Sequence, residues 1–168
     1  LTYGSHNVYL NDISPDGKKL LCSTSKPDIT RCPFSLSSLF EIDLATLQAD
    51  TLAAWDAYLG SASYSPDGKL LLVTGSPSAF GGIGKNCGEH PIANDFDTQA
   101  FIMDLATKKV QAITRDFNPT VSPVQWNRVD GCIYFDTTDG DCRHIYRYVP
   151  KTGGFEMLPL EEDVITSF

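Results

Sequence analysis

Cys87, Glu89, His90, Asp95 and Asp97 place five potential metal-ligating side chains in one short stretch of the chain. Structural zinc is held by paired ligands at CxxC or HxxxH spacing. Neither spacing occurs, so the stretch reads as a solvated polar loop, and no metal or other cofactor is expected. Asp136, Asp139 and Asp141 open like a calcium-binding loop, but Arg147 stands at the twelfth position, where a bidentate glutamate closes that motif. A hairpin turn is expected there instead. Gly84-Lys85 fails as a phosphate loop, because Ala79 replaces its first glycine and Asn86 its Ser or Thr.

Nucleophilic chemistry is no better supported. The segment nearest to a Gly-x-Ser-x-Gly elbow, Gly60-Ser61-Ala62-Ser63-Tyr64, lacks the final glycine and belongs to a strand. His6, His90 and His144 have no companion pattern that marks a general base. No complete active site is expected: the sequence singles out no catalytic residue and leaves any substrate-binding residues unidentified.

The elements that would carry a site are far more legible. Ser14-Pro15-Asp16-Gly17-Lys18 recurs as Ser65-Pro66-Asp67-Gly68-Lys69, each time followed by an apolar run. Proline presets φ, aspartate supports the bend through its side chain, and glycine takes the left-handed conformation, so each copy predicts a tight hairpin. Leu20-Leu21-Cys22 and Leu70-Leu71-Leu72-Val73 are continuously apolar, which suits strands buried on both faces.

A second motif recurs too. Phe40-Glu41-Ile42-Asp43-Leu44-Ala45-Thr46 is echoed by Phe101-Ile102-Met103-Asp104-Leu105-Ala106-Thr107, and more loosely by Tyr146–Gly153. Val121–Gly131 reads as a third copy of the first half that has lost the tight turn, which spaces Pro15, Pro66 and Pro123 by 51 and 57 residues. His144–Val149 alternates like an outer strand with one wet face.

A period of this length with about four short strands per copy predicts an all-β fold, a partial β-propeller of about three four-stranded antiparallel blades. Blade one is placed at about 5–55, blade two at about 59–116 and blade three at about 120–160, with 163–168 starting a further blade. A β-sandwich is the competing architecture. Three blades cannot close a ring, so the chain reads as a piece of a larger protein, with pairing of two copies into a six-bladed homodimer as the other expectation.

Composition fits a folded domain, with 42% hydrophobic and 20% charged residues in 168. The net charge of −8 argues against a nucleic-acid partner, and no apolar run is long enough for a membrane span. Among the five cysteines, Cys22 and Cys132 are assigned to strands and Cys32, Cys87 and Cys142 to loops on one rim. A Cys32–Cys87 disulfide is compatible with that placement. The longest departure from the repeat is the insertion 78–97, answered by the shorter Lys26–Phe34 in blade one. Long loops of this kind are often functional.

The Ser-Pro-Asp-Gly-Lys turns and Asp-Leu-Ala-Thr segments resemble the repeats shared by the periplasmic Tol-system propeller and the amino-terminal propellers of prolyl oligopeptidase and dipeptidyl peptidase IV relatives. Lys26–Phe34 and Gly75–Asn86 resemble loops of bacterial peptidases in the second group. That resemblance implies a propeller that shapes access of peptide substrate to a following α/β-hydrolase domain, the parent being a serine peptidase that is periplasmic or otherwise exported. Glu161-Glu162 is a weak match to the glutamates that recognise a peptide amino terminus there. A Tol-like protein-binding propeller and a sugar-processing propeller are the competing functions.

Overall fold

The computed structural model describes residues 6–87 and 97–160. Its strands form three four-stranded antiparallel sheets, each a simple meander. The first contains β1 (Asn7–Ile13), β2 (Lys19–Pro27), β3 (Ser35–Asp43) and β4 (Ala49–Asp56). The second contains β5 (Leu59–Tyr64), β6 (Leu70–Gly75), β7 (Gln99–Asp104) and β8 (Val110–Ala112). β9 (Thr120–Trp126), β10 (Ile133–Asp139), β11 (Cys142–Val149) and β12 (Gly154–Met157) make the third. This is a partial propeller of three blades.

The sheets stack face to face, and β6 shows why its run is apolar throughout. Leu71 and Val73 point into one core with Leu21, Leu39, Tyr64, Phe101 and Met103. Leu72, between them, points the other way, into a second core with Ala100, Val121, Ile133, Phe135 and Tyr148. Alternation sends successive side chains to opposite faces, so a strand packed on both sides has no position left for a polar residue. Each of these fully buried side chains contributes about 1.5–3 kcal/mol.

Both repeated motifs close hairpins at the same end of the sheets. Gly17 N–H donates to Ser14 O at 2.8 Å and Gly68 N–H to Ser65 O at 2.9 Å, with φ of 70° and 69° at the glycines. Each serine hydroxyl donates to the turn aspartate at 2.7 Å and accepts from the amide that re-enters the next strand. In the second motif, Asp43 and Asp104 accept from the Thr46 and Thr107 amides and hydroxyls at 2.8–2.9 Å. The motifs also meet: Leu44 N–H donates to Lys18 O and Leu105 N–H to Lys69 O.

Three expectations need correction. Pro123 is not a turn residue but lies within β9. The third hairpin spans Asn127–Cys132, and the same number of residues closes it as closes Ser14–Lys19, by Asn127 N–H to Cys132 O. Glycine has moved one place on, to Gly131 (φ 70°), whose N–H reaches back to Asn127 O. Asn127 Oδ1 accepts from Val129 N–H at 2.7 Å, as Asp43 Oδ1 accepts from Ala45 N–H. The turn is therefore not lost: this hairpin uses the chemistry of the second motif in place of the first. β11 is no outer edge, because β12 covers its far side and Ile145 and Tyr148, on opposite faces, are both buried. Cys132 precedes β10 and Cys142 begins β11, so neither sits where the sequence reading put it.

Polar bonds also cross from sheet to sheet. Glu41, 5% exposed, accepts from Tyr64 O–H at 2.7 Å and from Lys19 Nζ at 2.9 Å. Asp12 accepts from Tyr64 N–H at 2.9 Å, and Lys108 donates to Asp50 and to Thr51 O. Burial, then the bond to Glu41, pushes the Tyr64 phenol well above its ordinary range.

These contacts generate three predictions. Gly17→Val and Gly68→Val should each destabilise by about 1 kcal/mol or more, since a Cβ is disfavoured at positive φ. Gly68 should be the more sensitive, because its Cβ would lie 3.2 Å from Pro15 Cδ whereas that of Gly17 meets nothing; chemical denaturation reads the difference.

Hydrogen bonds from Ser14 and Ser65 hold Asp16 and Asp67 below the usual carboxylate range, and those from Thr46 and Thr107 do the same for Asp43 and Asp104. With folded pKa below unfolded, this stabilisation is complete above about pH 4 and is lost as pH falls through the lowered folded values. Asp16→Asn combined with Asp67→Asn should lower stability at pH 7 and flatten its decline on acidification, measured by urea unfolding across that window.

Tyr64→Phe leaves Glu41 Oε1 buried without its donor and should cost about 1–3 kcal/mol. Adding Glu41→Leu should recover most of that loss, and a Tyr64→Phe variant as stable as the parent chain rules the bridge out.

Candidate functional site

Opposite the tight turns lies a second rim, formed by the β2–β3, β6–β7 and β10–β11 connections and by the links from sheet to sheet. Its organising residue is Trp55. Ser37 pairs with Asp56 and Leu39 with Ala53, so two residues of β4, Ala54 and Trp55, oppose Ser38 alone. Bulges of this kind re-aim side chains. Trp55 sits at φ 49°, an uncommon conformation for a bulky residue, and its N–H donates to the buried Ser38 hydroxyl at 2.9 Å. The indole is 38% exposed. Lys26 Nζ stands 3.9 Å from its centroid, and the His6 ring meets it edge-on at 5.4 Å.

Asp56 transmits this arrangement to the insertion. One carboxylate oxygen accepts from Tyr58 N–H at 2.9 Å and the other from Phe80 N–H at 2.7 Å. Phe80 lies in α1 (Ala79–Gly82), a single distorted turn in which Phe80 itself has φ 53°. Its ring packs edge-on against Phe101 at 5.3 Å, and Ala79 is fully buried. Gly75 permits the approach, because its Cβ would fall 2.7 Å from Tyr58 O. Beyond α1, Asn86 Nδ2 donates to Arg115 O at 3.0 Å, and Asp97 accepts from the Thr120 hydroxyl at 3.0 Å. The described part of the insertion thus starts against β4 and ends beside the third sheet. Ile29, Phe34, Trp55 and Ile83 expose apolar surface along this rim.

That path also explains why no disulfide joins Cys32 to Cys87. Cys32 is in the β2–β3 loop, while Asn86 carries its neighbour Cys87 to the Arg115 side. Of the loop ligands considered above, Glu89, His90 and Asp95 lie outside the described residues, as do Glu161, Glu162 and the segment 163–168. Among the described residues no group of three or more His, Cys, Asp or Glu is arranged to hold a metal. Ser61 Oγ is bonded to Thr74 Oγ1 at 2.9 Å. Asp139 and Asp141 flank Gly140 (φ 64°) in the β10–β11 hairpin, and Asp136 is buried against Arg143. No helix among the described residues is long and apolar enough to cross a membrane.

The rim offers apolar, aromatic and cationic side chains on a braced backbone, which is equipment for noncovalent recognition. Sequence reading found its loops but missed Trp55 and Asp56. A bulge leaves no mark in local composition, and the only signal was an isolated tryptophan closing an otherwise small-residue strand. It also missed the Glu41–Tyr64 and Asp136–Arg143 contacts, for which a charge inside a strand pattern was the available sign.

Comparison with protein-family models finds no match, and comparison with curated proteins finds none. Solved structures are similar. TolB from Acinetobacter baumannii superposes with TM-score 0.62 at 20% identity, over 95% of this chain and 34% of that one. Oligogalacturonate lyase from Vibrio parahaemolyticus gives 0.64 at 17%, over 92% and 40%. The β-propeller domain of the Trilobed protease from Pyrococcus furiosus gives 0.61 at 12%, over 93% and 44%. The chain spans less than half the length of each. At these identities the likeness establishes the architecture, and this chain has the fold of a β-propeller arc.

Proposed function

We propose that the chain is the non-catalytic propeller segment of a serine peptidase, in which the second rim shapes access of peptide substrate to a separate α/β-hydrolase domain. The observation that carries this reading is the braced insertion: Asp56 fixes Phe80, Asn86 reaches Arg115, and exposed Trp55 stands beside them. The bulge that re-aims Trp55 and the Asp56 bond that fixes Phe80 hold these side chains in place, as a recognition surface needs. The propeller of a protease among the similar structures supports the assignment. The hydrolase domain and the peptide are the partners, and a periplasmic or otherwise exported setting goes with this reading.

A Tol-like binding propeller is the second reading, supported by the superposition on TolB and by the Ser-Pro-Asp-Gly-Lys turns. The two differ in what the rest of the polypeptide carries. Fluorophosphonate treatment of the full-length natural polypeptide, followed by peptide mapping, should label one serine outside residues 1–168. Absence of any labelled serine eliminates the peptidase reading, and a labelled serine within 1–168 eliminates the non-catalytic assignment.

A further inference from the structure

Three hydrogen-bond donors of the second rim meet at Trp55, and none of them has an acceptor among the described residues. Lys26 Nζ stands 3.9 Å from the indole centroid and makes neither a hydrogen bond nor an ion pair. The His6 ring, edge-on to the same indole, is not hydrogen-bonded. The Trp55 indole N–H donates to nothing, whereas that of Trp126 donates to Gly131 O at 3.1 Å. Lys19, Arg31, Lys108, Arg143 and Arg147, by contrast, each hold a carboxylate of this chain.

The acidic residues nearest in sequence are already engaged. Asp56, which follows Trp55, gives one oxygen to Tyr58 N–H and the other to Phe80 N–H. Asp28, two places after Lys26, accepts from the Thr30 amide and hydroxyl and pairs with Arg31. The donors are also held in place before any ligand arrives. Ser38 fixes the Trp55 backbone, Lys26 stands in β2 opposite the buried Leu36, and the indole attracts the ammonium through its ring face. Part of the entropy of ordering a lysine is thereby met in the free protein. Exposed Ile29 and Phe34, in the β2–β3 connection, add apolar surface to the same rim. In a chain of net charge −8, which repels anions as a whole, such a convergence of free donors selects for a carboxylate locally.

We propose that Lys26, Trp55 and His6 form a binding site for a peptide carboxylate. The ammonium and the indole N–H hold its oxygens, and the exposed indole surface takes the apolar side chain beside it. The inference rests on the peptidase reading for the ligand being a peptide, and goes beyond it in naming the group that the rim holds. A chain terminus and an Asp or Glu side chain offer the same carboxylate, so the probes must separate them.

The 168-residue chain has two tryptophans, hence two indole N–H signals in an NMR correlation spectrum, assigned through Trp55→Phe. The probes are acetyl-Gly-Ala-Leu with a free carboxylate, its carboxamide, and acetyl-Gly-Glu-Leu carboxamide. The Trp55 signal should move with the first probe if a terminus is recognised, with the third if a side chain is, and not with the plain carboxamide; the Trp126 signal should stay in place. Lys26→Gln should weaken binding about fivefold, and Lys26→Arg should keep it, since a guanidinium also stacks on an indole. Should Lys26→Gln not fold, loss of binding by the parent chain at 1 M salt takes its place. A Trp55 signal unmoved by either carboxylate, equal affinity for the plain carboxamide, or Lys26→Gln binding as tightly as the parent chain overturns the site. Fluorophosphonate labelling reads the peptidase assignment separately, so a labelled serine together with no preference for a carboxylate removes this inference alone.

Discussion

Stacking of sheets through strands that are apolar on both sides is the constraint on which the rest depends. β6 supplies Leu71 and Val73 to one core and Leu72 to the other, so the second blade cannot shift against either neighbour without opening a cavity in both. Removing one such side chain costs about 2–5 kcal/mol. Because the cores hold the sheets, the ends of the strands are released from packing duty and can specialise. One end is given to tight turns and the other to loops.

At the turn end the two repeated motifs form a mutual brace, with Leu44 bonded to Lys18 O and Leu105 to Lys69 O. Loss of the Ser-Pro-Asp-Gly sequence from the third hairpin does not loosen it, since Asn127 repeats the role of Asp43 and Gly131 takes the left-handed position. Two chemical solutions to one geometric requirement are thus interchangeable within a single chain. The requirement is only that the chain reverse within the same span and leave no strand-end amide unpaired.

Repeat and fold class were legible because their determinants are local. Proline, aspartate and glycine at fixed offsets define a turn, and Leu70–Val73 announces a doubly buried strand. Pro123 is misleading for the same reason: Ser122-Pro123 carries the letters of the turn, while the physical equivalent of Ser14 is Asn127, identified only by which amide meets which carbonyl. Trp55, Asp56 and Phe80 were illegible because their arrangement depends on a bulge in β3–β4 pairing and on residues far apart in sequence. The Cys32–Cys87 idea assumed that loops on one rim stay over their own blades. Asn86, bonded to Arg115, shows that this loop does not.

The junctions between blades argue for individuality within the repeat. Glu41 with Tyr64, Ile102 with Trp126 and Arg147 at the open face stand at one register position with acidic, apolar and basic character in turn. Identical junctions would let any sheet pack on any other, inviting slipped or intermolecular assembly, whereas chemically distinct ones penalise the wrong neighbour with an unpaired buried charge. The incoming face of the first sheet, with Leu20, Cys22, Phe40, Ile42 and the exposed Ile13 where the second sheet has Tyr64, is apolar. The last face differs in carrying its own ion pairs, Asp136 with Arg143 and Arg147 with Glu156, so the polar character that sets it apart is neutralised within one sheet.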